Sequence, residues 1–278
     1  MNLPCRKSDR DIFHNAKIKH FPDGEVKITV ANKRIFKESG YELIKEKTDK
    51  TPKYKNPDNE AREDSIRRAK TRIDDIVRLN DFKWFVTLTI DPHKLDSKDI
   101  NEVREKVTNF LSNAKKRKDL RYILVPEFHK SGAIHFHGFI NDSLTLIESG
   151  TVKVQGISKP MKIETARRKH ISPEACQTVY NVKEWRYGFS TAYIVSDDRA
   201  RLSSYFTKYI TKDCVKIFGK YYLAGGELSR DAPVELTDID YSSFIADNEC
   251  YCPQTDTHFK YRDTARRKER DDVIQGMV

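Results

Sequence analysis

Two segments, Arg121-Tyr-Ile-Leu-Val-Pro-Glu-Phe128 and Ala133-Ile-His-Phe-His-Gly-Phe-Ile140, decide the fold because together they predict a β-hairpin. Both are rich in β-branched and aromatic residues, and the short turn between them contains Gly132. A turn centred near Ser131 places Glu127 directly opposite His135. His135 and His137 are two residues apart on one strand, so both lie on the same face as Glu127.

The hairpin therefore predicts a metal site. Side chains directly opposite each other on paired strands lie about 5 Å apart at Cβ. Two imidazoles and one carboxylate around one point suit Mg²⁺ or Mn²⁺, with phosphate oxygens or water as further ligands. His129 shares the face of Glu127 and is a substitute ligand. A lone histidine on a strand is usually structural, so the opposing carboxylate is what favours a metal site here.

Working outward from the hairpin, strand and helix patterns alternate on both sides. The predicted elements are a strand at Trp84–Ile90 with Phe85, Thr87 and Thr89 on one face, a helix over about Ser97–Lys116, an insertion at 141–182, a strand at Trp185–Val195, a helix capped at Ser196–Asp198 and running to about Phe218, and a last strand at Tyr221–Leu223. This order, with hairpins rather than regular crossovers, predicts an α+β fold. Helices would pack on one face of a mainly antiparallel sheet and leave the other face available.

The predicted helix after Ser196 carries two tyrosines and two lysines at helical spacing. Tyr205 and Tyr209 are neighbours at i, i+4, and so are Lys208 and Lys212. A phenol is a weak nucleophile at neutral pH because its reference pKa is about 10, and a nearby ammonium group or metal favours the phenolate. The alternative explanation is an amphipathic helix that buries aromatic residues and exposes lysines.

The chain is predicted to have three segments. Residues 1–60 form a basic extension with a hairpin around Pro22-Asp-Gly24 and a linker, residues 61–226 form the main domain, and residues 227–278 form an acidic tail. The tail ends in a basic, helical-looking piece at Lys260–Arg270. The 278 residues carry a net charge of +10, and the excess of positive charge lies before Asp231. A basic body of this kind favours a polyanionic partner, with nucleic acid the first candidate.

A helix predicted over about Ala61–Leu79 begins the main domain. Its apolar residues fall on one stripe, and the opposite face carries four arginines, which are Arg62, Arg67, Arg68 and Arg72. Most such faces are only solvated. Contact with DNA is the alternative, and it requires support from elsewhere in the chain.

Several classes of protein are excluded by what the sequence lacks. No apolar run approaches the roughly 18 residues of a membrane span, and the first residues have no apolar core of a secretory signal. Five scattered cysteines favour free thiols in a reducing compartment. There is no G-x-x-x-x-G-K-[ST] sequence, so no P-loop motor is predicted.

Three of these stretches together resemble the motifs of HUH endonucleases, the enzymes that initiate rolling-circle replication in bacterial plasmids and single-stranded DNA phages. The segment Phe85-Val-Thr-Leu-Thr-Ile90 looks like their first motif. His135-Phe-His137, with Glu127 upstream, looks like their metal-binding motif. Tyr205-Phe-Thr-Lys-Tyr-Ile-Thr-Lys212 looks like the third motif in its two-tyrosine phage-type form. The resemblance covers roughly residues 61–225 and includes the order and spacing of the motifs.

The resemblance implies a fold and a reaction. The fold is an RRM- or ferredoxin-like, five-stranded antiparallel sheet backed by helices. A tyrosine attacks a phosphodiester of single-stranded DNA at a replication origin, giving a 5′-phosphotyrosyl link and a free 3′-hydroxyl primer. Glu127, His135 and His137 would hold Mg²⁺ or Mn²⁺, with Tyr209 the first choice as nucleophile and Tyr205 the second. Lys208 and Lys212 would assist these tyrosines.

The implied setting is the cytoplasm of a bacterial host, with no membrane partner. A host helicase would unwind the DNA, because the chain has no P-loop, and a host polymerase would extend the primer. Two alternatives stay open. One is a relaxase or transposase with the same chemistry, although most relaxases carry their tyrosines near the N-terminus. The other is a non-catalytic DNA-binding regulator on the same fold.

Overall fold

The structure is a computed structural model that describes residues 12–38, 63–128, 132–154, 156–157, 159–195, 198–213, 216–253 and 255–265. At residues 38, 63, 64 and 208–213 the description covers the backbone only. The chain divides into two compact units. Glu60–Asp231 form the larger unit, and Met1–Asn59 together with Ala232–Val278 form the smaller one. This division differs from the three consecutive segments that the sequence predicts.

The secondary structure is dominated by strands. In chain order the elements are β1 (Ile12–His14), β2 (Ala16–His20), β3 (Val26–Ala31), β4 (Phe36–Glu38), α1 (Glu63–Leu79), β5 (Trp84–Ile90), α2 (Ile100–Lys118), β6 (Tyr122–Phe128), β7 (Ile134–Ile140), β8 (Leu146–Val154), β9 (Met161–Lys162), α3 (Ile163–Arg168), β10 (Cys176–Val182), β11 (Gly188–Ile194), α4 (Arg199–Asp213), β12 (Leu223–Gly225), β13 (Val234–Thr237), β14 (Asn248–Cys252) and β15 (Thr257–Asp263). None of the helices within the described ranges is long and apolar enough to cross a membrane.

The larger unit is built on one antiparallel sheet with the strand order β12-β6-β7-β5-β11-β10-β8-β9. The α+β class predicted from the sequence is therefore correct. The sheet has eight strands in the structure, whereas the resemblance implies five. Residues 141–182 are not an insertion, because β8 and β10 pair with each other and extend the sheet. Their valines at 152, 154, 179 and 182 are buried, which explains why these strands join the core.

One face of this sheet is covered by α2. Its Val103, Val107 and Leu111 are buried against a sheet layer that includes Val86 and Phe136. Asp99 caps the helix by accepting hydrogen bonds from the backbone N–H groups of residues 101 and 102. Alternation along β5 and β7 fixes this arrangement, since every second residue of each strand enters this core.

The opposite face is covered at one end by α1 and α4, which corrects the expectation that helices occupy one face only. Phe206 of α4 lies edge-on to Phe139 of β7, with ring centroids 4.9 Å apart. Ile73 and Val77 of α1 belong to the same buried cluster. Ser203 of α4 donates a hydrogen bond of 2.6 Å to the buried carboxylate of Asp74 in α1. The two helices therefore pack on each other as well as on the sheet.

The α4 helix begins where the sequence predicts and ends earlier. Asp198 accepts a hydrogen bond from the Arg201 backbone N–H, as an N-cap residue does, while Ser196 and Asp197 lie outside the described residues. The described helix ends at Asp213 rather than Phe218. Phe218 and Gly219 have φ of 57° and 73° and form a tight turn, with Ile217 bridged to Lys220. Two consecutive residues with positive φ are incompatible with a continuing helix.

The smaller unit joins the two ends of the chain in one antiparallel sheet with the order β13-β2-β3-β15-β14. The predicted hairpin is confirmed, with β2 and β3 paired in register around Pro22–Gly24. The acidic segment after Asp231 is not an irregular tail, because β13, β14 and β15 all lie in this sheet. Lys260 and Arg262 lie in β15 rather than in a helix, where they contact the rings of Tyr241 and Phe244 respectively. Residues 266–270 of the predicted helix lie outside the described residues.

Candidate metal centre

The candidate metal centre lies on the face of the larger sheet that α1 and α4 partly cover. Strands β6, β7, β5 and β11 are adjacent, so their residues form three rows across this face. The helix-capped row contains Ile123, Phe139, Phe85 and Tyr193; the middle row contains Val125, His137, Thr87 and Thr191; the outer row contains Glu127, His135, Thr89 and Phe189. The predicted pairing of Glu127 with His135 is confirmed.

Glu127, His135 and His137 form a compact group. Their ligand atoms all lie within 4.8 Å of one another. Nε2 of His135 lies 3.4 Å from Oε2 of Glu127, and Nε2 of His137 lies 3.3 Å from the same oxygen. Glu127 is buried, with 5% of its side chain exposed, while the two histidines retain 16% and 15%. The group is therefore anchored in the sheet and open on the histidine side.

The histidine orientation is set by the neighbouring strand β5. Thr87 lies opposite His137, and its Oγ1 is 3.1 Å from His137 Nδ1. In the tautomer that leaves Nε2 free as a ligand, Nδ1–H donates to this oxygen. The Phe85 ring stacks against His137, with centroids 6.3 Å apart and an interplanar angle of 14°. Two residues of one strand thus hold the ring that points at Glu127.

The donor set fits a small divalent cation. Two neutral imidazole nitrogens and one carboxylate oxygen supply three ligands from one direction, so further positions remain for oxygen ligands of a substrate or water. Both histidines present the same ring nitrogen to the same carboxylate oxygen. Glu127, His135 and His137 could hold such an ion, and its identity is not shown by the geometry.

Close approach of β6 and β7 shapes the hairpin immediately beside His137. A Cβ atom added to Gly138 would lie 1.9 Å from the backbone oxygen of Ile123 and 2.8 Å from Cα of Leu124. Only glycine fits such a contact. Gly138 thereby allows the two strands to keep the register that places Glu127 opposite His135.

The predicted tyrosine helix lies next to the centre. Tyr205 of α4 is 50% exposed, and its ring lies edge-on to Phe85 with centroids 6.0 Å apart. Because Phe85 also stacks on His137, one phenyl ring separates Tyr205 from a candidate ligand. Burial raises the pKa of the Tyr193 phenol above its ordinary value, and the proximity of Tyr205 adds to this shift. Tyr193 is therefore a neutral hydroxyl beside Tyr205.

Other residues predicted for the site fall outside the described side chains. Tyr209, Lys208 and Lys212 lie on the backbone of α4, with Tyr209 one turn after Tyr205, and their side chains are not described. His129, the substitute ligand, lies outside the described residues, and so does Arg62. The roles assigned to these residues stay predictions.

The arginines predicted on α1 are not equivalent. Arg67 and Arg68 are exposed, on the helix side away from the buried Ala69 and Ile73. Arg72 donates a hydrogen bond to Asp231, and this interaction raises the pKa of its guanidinium. Its charge is therefore partly neutralised within the larger unit.

The contributions of Thr87 and Phe85 to the site cannot be predicted from the sequence. Strand alternation places both on one face of β5, but their contact with the histidines depends on β5 pairing with β7. The hairpin register that locates Glu127 is set by a local turn, whereas Thr87 and His137 are separated by 50 positions. Nothing local to either stretch indicates their pairing.

The fold and site thus define an α+β protein with a His–His–Glu candidate metal centre on an antiparallel sheet. A family model described as Replication-associated protein ORF2 matches residues 83–214. The matched segment contains β5, the hairpin and α4, so it includes all three rows of the site. This match supports the resemblance to rolling-circle replication initiators and indicates a replication-associated protein. Comparison with curated proteins and with solved structures gave no significant match.

Proposed function

We propose that this chain is an HUH endonuclease that initiates rolling-circle replication by nicking and rejoining single-stranded DNA. The observation that carries the proposal is the juxtaposition of two features. The Glu127–His135–His137 group lies on the sheet, and α4 presents the half-exposed Tyr205 beside it, separated by the Phe85 ring. The match to a replication-associated family over residues 83–214 favours DNA as the substrate.

The reaction is a transesterification. A tyrosine hydroxyl of α4 loses its proton and forms a bond to phosphorus, and the bond from phosphorus to the 3′-oxygen breaks. The 3′-oxygen takes up a proton and leaves as a free hydroxyl, while the 5′ end stays attached as a phosphotyrosine. Tyr209 is the first candidate nucleophile and Tyr205 the second. Lys208 and Lys212 contact the phosphate or favour the phenolate.

The chain's own residues would position the metal and the DNA. Glu127, His135 and His137 would hold Mg²⁺ or Mn²⁺, which when bound polarises the scissile phosphate. Thr87 fixes the tautomer of His137, and Phe85 fixes its ring plane. Basic side chains, including Arg67 and Arg68, contribute affinity for the phosphate backbone. Single-stranded DNA at a replication origin is the partner, with a host helicase and a host polymerase completing replication in the bacterial cytoplasm.

A nicking assay tests the proposal. The substrates are labelled single-stranded oligonucleotides tiled across the replicon that encodes the gene, incubated with the full chain and Mn²⁺. The proposal predicts one oligonucleotide that is cleaved and leaves a protein–DNA band resistant to denaturation, and EDTA should abolish both. Binding without a covalent band across the whole tiling set would identify a non-catalytic DNA-binding protein instead.

A further inference from the structure

Phe189 stands out on the face that carries the candidate metal centre. Its side chain is 68% exposed, more than any other large hydrophobic residue in the described part of the chain. It lies on β11, which is an inner strand flanked by β5 and β10. Aromatic residues on inner strands are normally covered, because burying a phenylalanine is worth about 2–3 kcal/mol. Scattered exposed apolar residues are common, however, so exposure alone shows nothing.

The position of Phe189 gives its exposure a meaning. Phe189 lies opposite Thr89, which lies opposite His135, which lies opposite Glu127. Neighbouring strands are about 4.8 Å apart, so Phe189 is about 10 Å from His135 across the sheet. This places an exposed aromatic ring in the outer row, two strands from the candidate ligands.

The surroundings leave one open direction from the centre. The row on the other side of the histidines is capped by α4, through the contacts of Phe206 with Phe139 and of Tyr205 with Phe85. In the middle and outer rows, the residues of β5 and β11 between the histidines and Phe189 are threonines with short side chains, which are Thr87, Thr89 and Thr191. The face is therefore low next to the centre and ends at a raised aromatic ring.

The backbone beneath Phe189 is held closely against β5. A Cβ atom on Gly188 would lie 2.2 Å from the backbone oxygen of Thr89 and 2.5 Å from the backbone nitrogen of Asp91. The indole N–H of Trp185 also donates to the Thr89 oxygen, at 3.1 Å. The strand that carries Phe189 is thus fixed relative to the strand that carries Thr87 and Thr89.

We infer that Phe189 is a stacking platform for a DNA base that flanks the scissile phosphodiester. Every base has a π face, so a single exposed ring on a fixed strand can hold an unpaired nucleotide without reading its sequence. Holding that base would orient the backbone over the centre. The inference rests on the proposed function for the identity of the strand, but the binding it describes does not require cleavage.

Binding to base-bearing and abasic strands tests the inference. The probes are a fluorescein-labelled oligothymidylate and an abasic deoxyribose-phosphate chain of the same length, measured by anisotropy with the full chain in EDTA. Phe189→Ala should weaken oligothymidylate binding about 5- to 150-fold and leave abasic binding unchanged, and Phe189→Trp should restore the preference. Ile194→Ala is the matched control, because Ile194 is 48% exposed on the same strand but faces away from the histidines.

Photocrosslinking supplies an independent readout. An oligothymidylate carrying 5-iodouracil should crosslink to the peptide that contains Phe189, as mapped by mass spectrometry. Equal oligothymidylate affinity for wild type, Phe189→Ala and Ile194→Ala would overturn the inference, and so would crosslinks confined to other peptides. A normal covalent adduct in Phe189→Ala together with that result would reject stacking and keep the proposed function. Absence of any adduct in the wild type would reject the proposed function itself.

Discussion

At the scale of single residues, Glu127 and the two histidines depend on their neighbours as much as on one another. A carboxylate that is 5% exposed requires compensating partners, because burying a charge without them is costly. Two imidazoles that present Nε2 to one of its oxygens can supply this compensation, either as cations or together with a bound metal. Thr87 selects which ring nitrogen of His137 faces the carboxylate.

Replacing Thr87 therefore provides a test of metal binding. Thr87→Val keeps the shape of the side chain and removes the oxygen that His137 Nδ1 contacts at 3.1 Å. We expect Mn²⁺ affinity, measured by calorimetry, to fall about 10-fold or more, with the fold intact by circular dichroism. Thr89→Val, one row further along the same strand, is the control and should retain the wild-type affinity. An unchanged affinity for Thr87→Val would remove Thr87 from the site.

At the scale of elements, the hairpin fixes the centre and α4 brings the tyrosines to it. The register of β6 with β7 is local, so the turn and the alternation of residues suffice to predict Glu127 opposite His135. The docking of α4 is not local. It depends on Phe206 packing against Phe139 and on the buried Ser203–Asp74 hydrogen bond to α1. A helix pattern predicts an apolar stripe but not which sheet face the stripe will cover.

The hairpin prediction concerns Gly138. We expect Gly138→Ala to lower the free energy of unfolding by about 3 kcal/mol, because the new Cβ would overlap the Ile123 carbonyl. The comparison variant is Gly150→Ala in the same sheet, where φ is +72° and nothing lies within 4 Å. That substitution should cost about 1 kcal/mol through backbone strain alone. Equal midpoints of urea unfolding for the two variants would contradict the steric explanation.

The α4 prediction concerns the two tyrosines. Residues at i, i+4 share one side of a helix, so Tyr205 and Tyr209 can alternate, one holding the DNA while the other makes the second cut. Tyr205→Phe and Tyr209→Phe should each still form some covalent adduct, and the double variant none. Peptide mass spectrometry of the adduct is the measurement. DNA found only on Tyr209 in the wild type, with Tyr205→Phe fully able to end a replication round, would indicate a one-tyrosine enzyme.

At the scale of the whole molecule, the charge and the chain ends are arranged in ways that composition does not reveal. The basic excess before Asp231 is visible in the sequence, but the ion pair of Arg72 with Asp231 is not. Likewise, β15 pairs with β3 although Phe259 and Ala31 are far apart in the chain. Local patterns predict the β2–β3 hairpin, whereas pairing between the ends depends on contacts that no short window contains.

This charge distribution predicts unequal roles for the arginines of α1. Replacing Arg67 and Arg68 with Gln should weaken binding to single-stranded DNA and reduce the slope of log affinity against log salt by about 0.7 for each phosphate that is no longer neutralised. Arg72→Gln should change the slope less, because Asp231 already neutralises that charge. Anisotropy titrations across a series of salt concentrations provide the measurement. An unchanged slope for the Arg67/Arg68 variant would mean that this helix face is only solvated.

The central claim is that the Glu127–His135–His137 group activates a DNA phosphate for attack by α4. The most direct measurement is the yield of covalent protein–DNA adduct as a function of Mn²⁺ concentration, compared between the wild type and a His135→Ala/His137→Ala variant. We predict a saturable dependence on Mn²⁺ for the wild type and no adduct at any concentration for the variant. The variant should still bind the oligonucleotide, since its phosphate contacts lie elsewhere. Adduct formation by the variant at the wild-type rate, and in EDTA, would contradict the claim.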